Sequence, residues 1–220
     1  MGLVLGARHA LEPDHLAAVT ALSQQKRDLA SRLWLGASWG IGHTLTLLLV
    51  GGGLALFEAQ MPAHISLGLE LAVGLMIIGL GVAAIFRALE EGRKGSTHFH
   101  SHGGVAHAHT APLAHFHVSK WTLATRPLLV GAMHGLAGSG AITAMVLVEL
   151  HGPWTRLGYI LLFGLGSVAG MGALSALAGW PLERLRRSKR AATFASMCIG
   201  LGTTALGCWW AWSAAASLFS

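Results

Sequence analysis

Six long apolar runs divide the sequence, at about residues 1–22, 33–57, 65–87, 126–150, 154–179 and 193–218. Each can cross ~30 Å of hydrocarbon as a helix. Helices are required because a membrane span has to satisfy its own backbone hydrogen bonds, and the alternating pattern of a lipid-facing barrel strand is absent. The charged fraction agrees: 11% of the 220 residues, against about 25% in soluble domains. So few charges cannot cover a water-soluble globule. The same numbers exclude a disordered chain, a collagen and a nucleic-acid-binding domain, despite the net charge of +6. Cys198 and Cys208 lie in an apolar run, ten residues apart, and form neither a disulfide framework nor a zinc knuckle. The first run carries Arg8, His9, Glu12, Asp14 and His15. It has no basic leader and no unbroken apolar core, so it does not read as a signal peptide.

Basic residues set the expected orientation. All of the 15 except Arg8 and Arg156 fall in or beside the connections after the first, third and fifth runs. That side is expected to be cytoplasmic, with both termini outside. Trp154, Trp209, Trp210 and Trp212 then belong to the outer interface, and Trp121 and Trp180 to the inner one.

The two halves resemble each other. Gly6-Ala7-Arg8-His9-Ala10-Leu11 returns as Gly131-Ala132-Met133-His134-Gly135-Leu136, and Trp39-Gly40-Ile41-Gly42 as Phe163-Gly164-Leu165-Gly166. Gly74-Leu75 and Leu80-Gly81 return as Gly200-Leu201 and Leu206-Gly207. Three spans per half is an odd number, so the second half enters the membrane from the other side. The expected fold is therefore an all-α polytopic membrane protein. Its six transmembrane helices form a 3+3 inverted repeat with a broken first helix, as recurs in secondary transporters. The alternative is chance similarity between Gly-rich helices. On this reading residues 1–87 form the first three-helix repeat, 88–125 a His-rich connection and 126–220 the second repeat.

Histidine is the outlier, at 13 residues. The segment His9-Ala10-Leu11-Glu12-Pro13-Asp14-His15 puts costly ionisable groups inside a membrane span, where such groups are usually functional. Two imidazoles and a carboxylate suit a borderline divalent ion such as Ni²⁺, Co²⁺ or Zn²⁺. On an ideal helix His9 and Asp14 lie about 140° apart, and Asp14 and His15 about 100°. Pro13 relieves that splay. It lacks an N–H, so the carbonyl of His9 loses its intrahelical partner and the helix bends or opens. This can gather the side chains and expose a carbonyl oxygen as a further ligand. The alternative is an outward-facing polar cap with paired charges; Arg8 and Glu12, spaced i, i+4, are expected to pair, but that leaves Asp14 and both histidines unexplained. His43, in Gly40-Ile41-Gly42-His43-Thr44, can reach the first span because the glycines allow close approach. Alternatively it bonds Thr44, Thr46 or a backbone carbonyl. His134 stands where His9 stands in the first half, as a gate or accessory ligand. Ser139, Gly140 and Ser167 replace Asp14, His15 and His43 there, so one asymmetric site is expected.

The connection holds His98, His100, His102, His107, His109, His115 and His117. It is too polar and Gly-rich to pack. These imidazoles are expected to capture or buffer metal; a solvated linker and a pH sensor are the alternatives.

Arg8-His9-Ala10-Leu11-Glu12-Pro13-Asp14-His15 resembles the His-x4-Asp-His signature of the nickel/cobalt permeases, and Gly42-His43-Thr44 resembles the Gly-His-Ser/Thr element of their following helix. The match is nearest to the shorter, six-span, NicO-like branch of nickel/cobalt transporters and urease-accessory membrane proteins. There the segments 134–139 and 162–167 have counterparts, and the resemblance spans nearly the whole chain outside the connection. It implies that His9, Asp14, His15 and His43 are metal-site residues. It further implies Ni²⁺ or Co²⁺ as transported ligand with no tightly bound cofactor, and a bacterial inner membrane as location. Implied partners are the lipid bilayer and a cytoplasmic metallochaperone or the urease/hydrogenase maturation proteins. The larger permeases carry a Phe-Asp-Thr-Ala-Thr-Glu element that this chain lacks.

A secondary importer is the first functional expectation. No Gly-x4-Gly-Lys-Ser/Thr motif is present for ATP hydrolysis. An exporter would use the same site with opposite coupling, and a metal-binding accessory protein would not move the ion. An intramembrane metalloenzyme would need a general base, for which Glu12 is available; His-Glu-x-x-His is absent, and no enzymatic activity is expected.

Overall fold

The computed structural model describes residues 1–23, 28–93, 101–102, 105–106, 120–185 and 188–219. The first apolar run is two short helices, α1 (Gly2–His9) and α2 (Pro13–Ser23). Proline is well placed at the first position of α2, where its missing N–H has no helical partner to lose. The carbonyl that Pro13 leaves bare does not become available: the N–H of Glu12 donates to the His9 oxygen at 3.0 Å. The expected carbonyl ligand is thus already engaged, because the chain closes a tight turn over the break. The N–H of Leu16 then donates to the Glu12 oxygen at 2.9 Å and starts α2.

Helix α3 (Leu29–Thr46) opens with Asp28 as its cap, the carboxylate accepting from the Ser31 N–H at 2.7 Å. It runs through one π-helical turn, Leu47–Gly51, into α4 (Gly52–Leu56). Four long helices complete the chain: α5 (Ala63–Arg93), α6 (Lys120–Glu149), α7 (Pro153–Leu185) and α8 (Lys189–Phe219). Gly152, at φ 90°, makes the turn into α7 that a side chain would resist. Residues Ser101–His102 and Val105–Ala106 form a two-residue antiparallel pair. The other six histidines of the connection lie outside the described residues. The connection is shorter than expected, because α5 extends to Arg93 and α6 begins at Lys120.

Among the described residues four helices are long and apolar enough to cross a membrane: Leu29–Leu56, Ala63–Glu90, Pro153–Pro181 and Arg190–Leu218. A span of 28 residues measures about 42 Å, longer than the ~30 Å of hydrocarbon it has to cross. Phe86, Leu177 and Trp212 are exposed by 63%, 70% and 76%. An apolar surface on that scale is what lipid solvates.

Helix α1 packs beside α7, α3 lies between α6 and α7, and α5 pairs with α8. The contacts are close where glycine replaces a side chain. A Cβ on Gly6 would run into the Phe163 carbonyl, and one on Gly131 into the Trp39 carbonyl. Besides a small cluster of Val73, Ile77 and Ala137, two apolar clusters form the interior among the described residues. One contains Ala10, Ala18, Val19, Trp39, Met171 and Leu174. The other contains Leu47, Ala55, Val146, Ile160 and Phe163. One residue departs from its expected place. Arg32, counted above with the basic connection, is in the first turn of α3 and only 3% exposed.

Candidate metal centre

The break between α1 and α2 points three side chains into one interior spot. His9 is the last residue of α1; Asp14 and His15 are in the first turn of α2. Helix α3 adds His43 and α6 adds His134. Asp14, His15, His43 and His134 are each no more than 4% exposed, and His9 is half-buried.

Two carboxylates orient the imidazoles. Asp14 Oδ1 lies 3.1 Å from His15 Nδ1, and Oδ2 lies 2.5 Å from His134 Nε2. Glu12 Oε1 lies 2.9 Å from His9 Nδ1. A carboxylate only accepts, so each facing nitrogen donates and the opposite nitrogen is left as a bare lone pair. Those opposite atoms, His9 Nε2, His15 Nε2 and His134 Nδ1, are buried and have no hydrogen-bond partner among the described residues. The same holds for both ring nitrogens of His43. A polar atom left unsatisfied in this way costs about 1–3 kcal/mol.

The ligand atoms fall into two overlapping groups, His9–His15–His43 and Asp14–His15–His134. Within each group they lie within 4.8 Å of one another. Metal bonds of about 2.1 Å require ligands somewhat nearer than that, so an ion would draw them inward. The donor set, imidazole with one carboxylate, matches a borderline divalent cation. Trp39 stacks on His15, with centroids 5.6 Å apart and planes 16° apart. Phe163 closes the side next to His9, with centroids 5.2 Å apart.

The structure thus brings together all five intramembrane residues singled out in the sequence. The alternatives weighed for them separate. Thr44 Oγ1 donates to the Gly164 carbonyl at 3.0 Å and Thr46 Oγ1 to that of Gly42 at 2.9 Å; neither engages His43. The carboxylate of Glu12 is directed to His9 rather than to Arg8, because the helix ends at His9 and the i, i+4 spacing has no meaning across the break. Ser167, in the place of His43, donates to the Phe163 carbonyl at 3.0 Å and the Gly6 carbonyl at 3.3 Å, joining α7 to α1. Sequence reasoning missed Trp39 as a wall, although it precedes His43 by one helical turn and so shares its face.

The geometry depends on the helix break. Pro13→Ala restores an N–H and allows a continuous helix, which swings Asp14 and His15 away from His43. We expect nickel binding by the purified variant to weaken about tenfold to hundredfold, the cost of misplacing groups that orient metal ligands. Calorimetric titration reads this, and unchanged affinity would contradict it.

The family described as high-affinity nickel-transport protein, NicO, matches residues 1–179. The urease accessory protein UreH of Bacillus sp. (strain TB-90) is 36% identical over 191 residues, covering 86% of this chain and 79% of that protein. The chloroplast protein FOR GROWTH AND FERTILITY 2 of Arabidopsis thaliana is 24% identical over 208 residues, covering 91% of this chain and 53% of its own length. No solved structure matches. The chain is an integral membrane protein with a buried histidine–aspartate cluster, and it belongs to the NicO high-affinity nickel-transport family.

Proposed function

We propose that the chain is a secondary transporter that takes up Ni²⁺ through the buried cluster, with Co²⁺ as the competing cargo. The observation that carries this reading is the set of buried, unpartnered imidazole nitrogens around Asp14, enclosed between two apolar clusters. His9, Asp14, His15, His43 and His134 hold the ion in turn. The relative's printed name, urease accessory protein, fits nickel as cargo and urease or hydrogenase maturation proteins as its receivers.

An inverted 3+3 repeat over residues 1–87 and 126–220 is supported by reciprocal packing. Gly6 meets Phe163 and Gly131 meets Trp39; in the alignment of the halves each pair is the other with its members exchanged. Gly74 meets Ala211 and Gly200 meets Ile85 in the same way. The broken α1–α2 pair and α6 then join the four candidate spans to make six. On this reading residues 88–125 are cytoplasmic and both termini outside, which the basic connections favour. A divalent ion crossing ~100 mV gains about 4.6 kcal/mol, enough for about thousandfold accumulation without ATP.

Purified protein in liposomes with an imposed potential tests the reading. We expect Ni²⁺ to enter, faster as the interior becomes more negative. Binding without flux would favour a metal-holding accessory role instead, and movement against the expected direction would make it an exporter.

The connection's histidines act differently from the buried set. They are many, hydrated and interchangeable, so they raise the local ion concentration rather than line the path. Replacing all seven with Ser is expected to hold maximal flux within about threefold while lowering uptake at trace nickel. Loss of all flux at saturating nickel in a folded variant would put the loop in the path.

A further inference from the structure

Two arginines are buried at opposite ends of the helix bundle, and neither belongs to the cluster. Arg156, in the first turn of α7, is 8% exposed. Its Nε donates to the Leu150 carbonyl at 3.0 Å, just beyond α6. Its Nη1 donates to the Ala55 carbonyl in α4 at 3.2 Å and to Glu58 Oε1 at 2.8 Å. One guanidinium therefore ties the ends of α4 and α6 to the start of α7. Glu58 reaches it from a backbone at φ 51°, the left-handed region that a residue with a side chain rarely enters. Such a conformation persists only where its surroundings enforce it.

Arg32, in the first turn of α3, stands at the other end. Its Cδ, Nε and Cζ cross α7 at Gly179, where a Cβ would collide with them. Aligning the halves on Trp39 and Phe163 superposes Arg32 on Arg156 and Gly179 on Ala55. The two arginines are thus counterparts that meet counterpart positions on the opposite helix. Their clusters correspond too. Leu47 and Phe163 belong to the cluster that contains Ala55, and their counterparts Met171 and Trp39 to the other. The histidine–aspartate cluster lies between them, with Phe163 beside His9 and Trp39 against His15.

We propose that Arg156 and Arg32 are paired latches of the transport path, each holding shut the helix ends at one membrane face. The inference rests on the transport reading. A guanidinium suits the task. It bridges several carbonyls at once, it stays charged, and a like charge at the mouth repels a cation until the helix ends part. Each latch closes over an apolar cluster that has no imidazole or carboxylate to hold a borderline divalent ion. An ion therefore passes only when the helices at one end separate, and the far latch keeps the path from becoming a pore.

The latches are tested by side-selective labelling. In full-length protein carrying Cys198→Ser and Cys208→Ser, a single cysteine is introduced as Ile160→Cys in one cluster or Met171→Cys in the other. A membrane-impermeant thiol reagent is applied to right-side-out and to inverted vesicles. We expect Arg156→Gln, which removes a guanidinium making three charge-assisted hydrogen bonds, to raise labelling at position 160 by at least about tenfold, from one face only and without change at position 171. Arg32→Gln is expected to do the reverse from the opposite face. Glu58→Gln, at a solvent-exposed side chain, is expected to give about a threefold rise at position 160, as a weaker exposed pair implies. A rise at both positions from one substitution, or at neither, or no response to Glu58→Gln, overturns the proposal. Labelling requires no metal, so a wild-type protein that shows side-selective latches but no nickel flux would count against the transport reading alone.

Discussion

His15→Ala and Asp14→Asn are each expected to abolish nickel transport while the protein still accumulates in the membrane. His15 belongs to both ligand groups. Its removal leaves His9 and His43 as a pair on one side and Asp14 and His134 as a pair on the other. Water cannot readily fill the gap, because the side chain is fully enclosed. Asp14→Asn keeps the shape but removes the one carboxylate that meets His15 and His134 together. An amide presents a donor where a second acceptor is needed, and the two rings lose their common orientation. Loss of His15 should exceed the tenfold to hundredfold typical of an orienting partner, and Asp14, which orients two rings at once, should fall at the upper end, so flux should drop by about a hundredfold or more. Uptake of radioactive nickel by vesicles with matched protein content measures it. More than about a tenth of wild-type flux in either variant would remove that residue from the site.

Gly6→Ala and Gly131→Ala carry the second large effect, on folding. In each, the new Cβ meets a backbone carbonyl of the facing helix, Phe163 for Gly6 and Trp39 for Gly131. A backbone cannot rotate aside as a side chain can, so the helices must part. Overpacking of this kind costs about 1–3 kcal/mol, and the upper end is expected where the whole helix is displaced. Gly79→Ala is the control, because nothing lies within 4 Å of its added Cβ; its effect should stay within about 1 kcal/mol, the Gly-to-Ala helix propensity difference. Thermal unfolding in detergent should show the first two variants melting well below the third. Equal melting temperatures would contradict the packing described.

Much of this was legible in the sequence because two strong physical demands act on it. Long apolar runs force helices, so each run has helical counterparts in the structure. Ionisable groups in hydrocarbon require company, and Pro13 marks where the helix has to break. These two facts single out His9, Asp14 and His15; His43 comes from its flanking glycines and His134 from its place opposite His9 in the repeat, and all five are neighbours in the structure. The rest depended on tertiary placement. Arg32 reads as one more connection charge, because nothing local distinguishes a basic residue before a span from one folded over Gly179. Glu12 reads as the partner of Arg8 until the break removes the i, i+4 relation. The π-helical turn at Leu47–Gly51 has no local marker either, since Leu-Leu-Leu-Val-Gly suits an ordinary helix as well. Helices α5 and α6 outrun the apolar runs because a helix keeps its backbone bonds through the polar residues at its ends.

The most direct measurement is X-ray absorption at the nickel edge on purified protein in which the seven connection histidines are Ser and His64 and His151 are Gln, so that the buried cluster supplies the only imidazoles. We expect about one nickel per chain with an imidazole-rich nitrogen and oxygen shell and no sulfur, as this donor set implies, and no such signal after His15→Ala. A variant that binds no nickel, or binds it with a shell that His15→Ala leaves unchanged, would contradict the assignment of the buried cluster as the place where the ion is held.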